Sequence, residues 1–545
     1  MDNNNSNNNT NNFNKSLFNP FLLTSMSLWH QQYATEWIKI YKDFTAYSQK
    51  VSESWVDTLW NSWIIKEDDQ RRENLRLQNH TDDHNVYKKK KKKMRALILQ
   101  GGGALGAFQA GAFKALYEKL RREDKQNGNE ERPLFDIVAG TSIGAINASL
   151  LVSYVIENKS WKGSEEKLVQ FWEYLSCPTP DITKMSAEWK KEFDKNNPSA
   201  ASAEAARRYY SVKEFLQSGV DKVFSPILPP KEDEKFFDPQ NKRMLYNKQP
   251  LQNSIEKFAK FPIATNYDKG EPRLLVVSTD VAEGTTVTFD SYEKGKDLNG
   301  KEIRKIVYRE VSQERPIVIE YNDGVKIQHV MASASLPEFY EYEEINGRKF
   351  WDGGILSNTP IREVIQAHKE FWEYKIGSKE LENSVLDEGN LIVPDLELYI
   401  VNLWHSDDKV VPSDPDGITK RHADIKSHDQ YYVNESILIT HYIDLIEKLI
   451  QIRNGKNNYE LKKEINKILQ NYTTSRDTTE IPKKYIDIIK TQFEITKLES
   501  IERRDNIDTI SGKVGDFTSD TIKKLIQEGY EATWKKYPQS IVQQQ

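Results

Sequence analysis

Two stretches decide how this chain folds: RALILQGGGALGAFQAGAFKAL over 95–116 and FDIVAGTSIGAINASLLVSYVI over 135–156. Each starts with a short apolar run, passes through glycines and continues with a helical pattern. The spacing predicts a buried strand at 95–100, a glycine-rich turn and a helix over about 105–122. A second strand follows at 135–139, and a helix from Ser142 to about Ile156. Strand, helix, strand, helix in this order indicates a parallel sheet with crossover helices.

Further strands are expected at 274–279, 285–289 and 396–403, and a mixed segment over 180–262, with SPILPPKEDE inside it, reads as an insertion or lid. Beyond about residue 430 the pattern turns helical, with amphipathic stretches near 433–452, 458–471, 483–502 and 519–532. The domain reading is therefore an α/β region over 94–410 followed by a helical C-terminal region over 411–545.

The other end is different in kind. Residues 1–28 form an Asn-rich tail with little to bury, which predicts disorder. Over 29–65, Trp37, Ile40, Phe44, Tyr47, Val51, Trp55 and Leu59 recur at steps of three and four, the mark of one face of a long helix. Five of the twelve tryptophans fall there, so the helix suits a lipid interface or packing against another helix. A charged linker over 66–93 ends in six consecutive lysines, a solvated boundary or an adhesive for anionic membrane.

Composition narrows the function. The 545 residues carry 77 Lys plus Arg against 82 Asp plus Glu, a net charge of −5. A nucleic-acid partner would require a far more basic chain. The lone Cys177 excludes a disulfide framework and fits a reducing compartment. Neither H-E-x-x-H nor a Cys/His cluster occurs, so no metal or other cofactor is expected. The N-terminus lacks a basic, then apolar, signal pattern. The most apolar window, 134–156, holds Asp136, Ser142 and Asn147 where a bilayer span would tolerate them least. The expected location is cytoplasmic, with peripheral contact to membrane or lipid inclusions as a further option.

Gly101, Gly103 and Gly106 satisfy G-x-G-x-x-G between strand and helix. A dinucleotide site would also need an acidic residue ending the next strand about 20 residues on. That position falls in LRREDKQNGNEE, a charged loop. The alternative use of such a turn is an oxyanion hole, since bare backbone N–H groups can converge on developing negative charge.

Gly140-Thr141-Ser142-Ile143-Gly144 fits G-x-S-x-G between a strand and a helix, the pattern of a nucleophile elbow. Gly140 and Gly144 permit the sharp turn, and the helix N-terminus favours negative charge at the Ser142 oxygen. Serine needs a base to take its proton. Of the nine histidines only His405 follows a strand end, which makes Ser142–Asp352–His405 a possible triad. Asp352 is itself a candidate base, because Gly353 and Gly354 let it approach another backbone closely; the alternative is a plain hairpin turn.

QGGGALGAFQAG (100–111), GTSIGAINA (140–148), HVMASASLPEFY (329–340) and WDGGILSNTP (351–360), in this order and spacing, resemble the patatin-like phospholipase family. DFTSDTIKKLIQEGY (516–530) and VNLWHSDDKVVP (401–412) are similar to the C-terminal portion of bacterial members. The resemblance implies a three-layer α/β/α fold around a mainly parallel sheet. It also implies a Ser–Asp dyad, with Ser142 as nucleophile, Asp352 as general base, and the amides of Gly101, Gly102 and Gly103 as the oxyanion hole. One departure is Leu105, where many members carry a basic residue. The implied activity is that of a serine lipid acyl hydrolase, a carboxylic ester hydrolase of phospholipase A or lysophospholipase type. Two other functions compete: an esterase or depolymerase on lipid or polyester granules, and a non-catalytic membrane-associated scaffold. The implied partner is a lipid ester substrate, with peripheral membrane or granule contact through 29–65 and 88–93.

Overall fold

The computed structural model describes residues 93–179, 200–227, 245–296, 300–309, 316–337, 339–388, 392–404, 411–429, scattered positions over 433–446, and 459–472, 484–504 and 510–536. The tail at 1–28, the aromatic helix at 29–65, all but the last residue of the linker at 66–93, and the expected helix near 433–452 apart from scattered positions lie outside the described residues.

The two deciding stretches fold as read. β1 (Lys93–Leu99) leads through the glycine turn into α1 (Gly106–Gln126), and β2 (Ile137–Thr141) leads into α2 (Ile143–Asn158). α3 (Ser164–Leu175), α4 (Ala200–Ser218) and α5 (Gln249–Phe258) follow. Next come β3 (Arg273–Asp280), β4 (Thr285–Asp290), the short α6 (Ile327–Ser333), β5 (Glu343–Ile345) and β6 (Arg348–Asp352). The chain continues through α7 (Ile361–Ile376), β7 (Asp395–Asn402), α8 (Pro415–His428), α9 (Tyr459–Asn471), α10 (Tyr485–Ile489), β8 (Ile495–Glu502) and α11 (Ser519–Lys536).

These eight strands form one sheet, with β8, β7, β1, β2 and β3 running parallel in that order. β4 pairs antiparallel with Leu275–Asp280 on the outer edge of β3. β2 takes the other edge up to Val277, and β6 takes that same edge from Ser278 onward, running the opposite way. β2 and β6 therefore meet end to end along one neighbour.

The strand periodicity explains the layers. Leu97 and Leu99 of β1 face one core, whereas Met94, Ala96 and Ile98 face the other. The same alternation holds in β2, where Val138 joins the first core and Ile137 and Ala139 the second. Apolar side chains of α1, α2, α3 and α11 fill the first core, and those of α7 the second, which gives the three-layer α/β/α arrangement.

α11 crosses α1 at backbone contact. A Cβ on Gly111 would lie 1.7 Å from the Ile526 oxygen, and one on Gly529 would lie 2.0 Å from the Phe108 oxygen. Only glycine fits at both points.

One expectation changes. The helix expected over 483–502 is instead the short α10 followed by β8, which extends the sheet beyond β7. Eight residues with half-buried positions are ample for a strand, and pairing them removes the open edge that β7 would otherwise present. In the described parts of 180–262, Phe215 of α4 and Leu251 and Ile255 of α5 are buried in the first core. Arg208 of α4 also donates to Asp516 at 3.0 Å, both side chains being buried. The helices expected at 458–471 and 519–532 are present as α9 and α11. Among the described residues, no helix is long and apolar enough to cross a membrane.

Candidate active site

The end-to-end meeting of β2 and β6 creates the site. Thr141 stands opposite Val277 and Asp352 opposite Ser278, so adjacent positions on β3 hold the strand ends that carry the two residues. Ser142 is the first residue past β2, and its side chain is among the groups that pull the pKa of the Asp352 carboxyl down.

Ser142 adopts φ 56° and ψ −126°, a left-handed conformation unusual for a residue with a Cβ. Such a backbone persists only when its surroundings over-determine it. Here they do: a Cβ on Gly140 would meet the Gly144 oxygen at 2.2 Å, and one on Gly144 would meet the Leu99 oxygen at 2.1 Å. The Ser142 N–H is taken up by the Ser333 hydroxyl oxygen at 2.9 Å, and that hydroxyl in turn donates to the Val277 carbonyl. α2 starts one residue later, with Ser142 at its N-cap.

Asp352 ends β6 and caps a tight turn over Gly353–Ile355, its Oδ1 accepting the Gly354 N–H at 2.7 Å. The turn is not a hairpin connection. Gly353 is needed because a Cβ there would lie 2.3 Å from the Val277 oxygen. The Asp352 N–H donates to the Ser335 carbonyl at 2.9 Å, and its carbonyl accepts from Thr279 Oγ1 at 3.1 Å. The residue is 4% exposed, and burial pushes its carboxyl pKa up to about 6 against the opposing pull of the Ser142 side chain and the Gly354 N–H.

The glycine turn lies against this pair. A Cβ on Gly101 would be 3.0 Å from the Ser142 Cβ and 2.4 Å from Asn358 Oδ1. The Gly101 N–H donates to the Asn358 carbonyl at 3.4 Å, so that amide is already engaged. No hydrogen bond from the Gly102 or Gly103 N–H is present among the described residues. Gly103 sits at φ 56°, and a Cβ there would lie 2.5 Å from the Val514 oxygen. Leu105 is buried in the first core, so this loop presents no charge at the position where the family often has one.

The alternative base, His405, lies outside the described residues. Two other histidines are occupied elsewhere. His329 is buried flat against Phe289 at 4.2 Å, its Nδ1 accepts the Lys326 N–H, and burial pulls its pKa down to about 3. His368 Nε2 is 2.8 Å from the Pro394 carbonyl. Among the described residues, no group of three or more His, Cys, Asp or Glu side chains could hold a metal ion.

Sequence reasoning did not single out Ser333 or Asn358 individually, though both lie in quoted motifs. Asn358 Nδ2 donates to the Gly101 carbonyl at 3.3 Å and to the Ser427 carbonyl at 2.6 Å. Neither spacing nor hydropathy shows which backbone either of them will reach.

Curated proteins include no match to this chain. Among solved structures, VipD from Legionella pneumophila is similar at 12% identity, with a TM-score of 0.26, over 81% of this chain and 66% of that one. The match thus spans just under two thirds of that protein's length. Residues 97–365 match the patatin-like phospholipase family, a span that includes the glycine turn, the Ser142 elbow and Asp352. Residues 97–365, just under half of the chain, are thus a patatin-like phospholipase domain.

Proposed function

We propose that the protein is a serine lipid acyl hydrolase that works through an acyl-enzyme on Ser142, with Asp352 as the general base. The strained Ser142 and the buried Asp352, set at adjoining strand ends on β3, carry this reading. A carboxylate lifted to about 6 is ionised at neutral pH yet more basic than an ordinary aspartate, which suits proton abstraction from a hydroxyl.

In the first half-reaction the Ser142 oxygen attacks the ester carbonyl carbon while Asp352 takes its proton. The new negative charge on the carbonyl oxygen is met by the uncommitted Gly102 and Gly103 amides and by the N-terminus of α2. Collapse breaks the bond to the alcohol, which leaves with the proton from Asp352. Water then attacks the acyl-serine, again yielding its proton to Asp352, and the acid departs as Ser142 regains its hydrogen. The Gly101 amide, given to the Asn358 carbonyl, is the weakest of the three donors expected.

A lipid ester is the substrate class the rim favours. Ile355 and Leu356, directly after the Asp352 turn, are 38% and 36% exposed, and Leu336 is 42% exposed. Exposed apolar side chains this close to the reacting carboxylate offer a surface for an acyl chain. The test is hydrolysis of p-nitrophenyl butyrate and of a phospholipid panel by wild type and Ser142→Ala, with fluorophosphonate labelling beside it. Loss of turnover and of labelling in the variant is expected. Turnover that survives the substitution would place the chemistry elsewhere.

A further inference from the structure

The Gly101–Gly102 peptide is gripped from behind. Its carbonyl accepts the Trp404 Nε1–H at 2.7 Å, a short and buried bond, as well as the longer one from Asn358. A trans peptide is planar, with its C=O and N–H pointing to opposite sides, so fixing the Gly101 carbonyl fixes the direction of the Gly102 N–H. Trp404 is itself locked, its own N–H and that of Leu403 converging on Gln100 Oε1 at 3.3 and 2.6 Å. The Lys513 ammonium lies 5.2 Å from the centre of the indole and is paired with Asp424 at 2.6 Å, both charged groups almost wholly buried. A cation over the ring draws electron density toward its face and strengthens the N–H as a donor. Trp404, Asp424 and Lys513 all lie outside the matched span 97–365.

We infer that Trp404 is a positioning residue for the hydrolysis proposed above: its indole N–H aims the Gly102 amide at the oxyanion, with the Lys513–Asp424 pair as its brace. The inference rests on the hydrolase reading. It makes the region after the matched family segment part of the catalytic apparatus.

The decisive variant is Trp404→Phe, with full-length protein carrying β-(benzothienyl)alanine at 404 beside it. The second keeps the shape of the indole and removes only the N–H, so it remains informative if the phenylalanine variant folds poorly. Losing an oxyanion donor outright costs about 100- to 1000-fold in kcat, and a misaimed donor should cost about 10- to 100-fold. The expected result for the isostere is that fall in kcat with KM within about twofold, and a matching loss of affinity for an acyl trifluoromethyl ketone, which forms a tetrahedral adduct. Wild-type kcat in the isostere, or lowered kcat with unchanged ketone affinity, overturns the inference. If wild type turns over no ester, or Ser142→Ala retains activity, the hydrolase reading itself fails, and the two failures are thereby distinct.

Discussion

Replacing Asp352 with Asn should abolish turnover and, at neutral pH, make the protein more stable. The carboxyl is 4% exposed, and burial raises its pKa from 3.8 to about 6. In the unfolded chain the group returns to its ordinary value. Between those two values the native state holds more protons than the unfolded state, so wild-type stability falls as pH climbs from 3.8 through about 6 and does not recover above. The interval corresponds to about 3 kcal/mol at roughly 1.4 kcal/mol for each tenfold change. Asn has nearly the same shape, carries no charge, and its amide oxygen can still accept the Gly354 N–H. The variant should therefore exceed wild type by about 3 kcal/mol at pH 8 but by only about 1.5 kcal/mol at pH 5. Urea unfolding of both proteins at the two pH values measures the difference, and p-nitrophenyl butyrate hydrolysis reports the lost activity. An advantage that is the same at both pH values, or a variant less stable than wild type at pH 8, would refute the idea that the ionised carboxylate is held in the site against its solvation preference.

Three further outcomes follow from the same geometry. The kcat/KM of the wild type should fall about tenfold per pH unit below about 6, the value to which burial lifts Asp352, because the protonated acid cannot accept the Ser142 proton; a profile flat down to pH 4.5 would contradict this. Ser333→Ala removes the acceptor of the Ser142 N–H and should lower stability by about 1–3 kcal/mol, with kcat reduced more than KM; denaturant unfolding and steady-state kinetics check both. Lys513→Met leaves Asp424 buried and unpaired by its lysine and should cost about 3–5 kcal/mol, most of it restored by adding Asp424→Leu, as a double-mutant comparison of unfolding midpoints would show.

The hydrolase reading also joins two demands that conflict locally. Good local geometry would put a glycine at position 142, where φ is 56°, and would leave a buried carboxyl neutral. The chain keeps a serine and an aspartate instead, and the cost, about 1–3 kcal/mol for such backbone strain plus the burial of Asp352, is offset by the large core on both faces of the sheet. Conflict of this kind concentrates where chemistry is done.

Much was legible in the sequence alone. Short apolar runs at 95–100, 135–139 and 396–403 marked the central strands, and glycines 140, 144 and 353 marked places where backbones pass too close for a Cβ. Those are local properties, read from residue type and spacing. The C-terminal strand was not legible, because ITKLESIE follows a helical segment closely and its pairing partner is nearly a hundred positions away. Nor could a linear reading give Ser333, Asn358 and Trp404 their partners. Those assignments depend on β3 offering one edge to two strands that arrive from opposite directions, and on the C-terminal region folding back onto the glycine turn. Residue chemistry determined which groups could react; only long-range pairing decided which of them meet, since a hydrogen bond needs its partners within about 3 Å and sequence spacing carries no such distance.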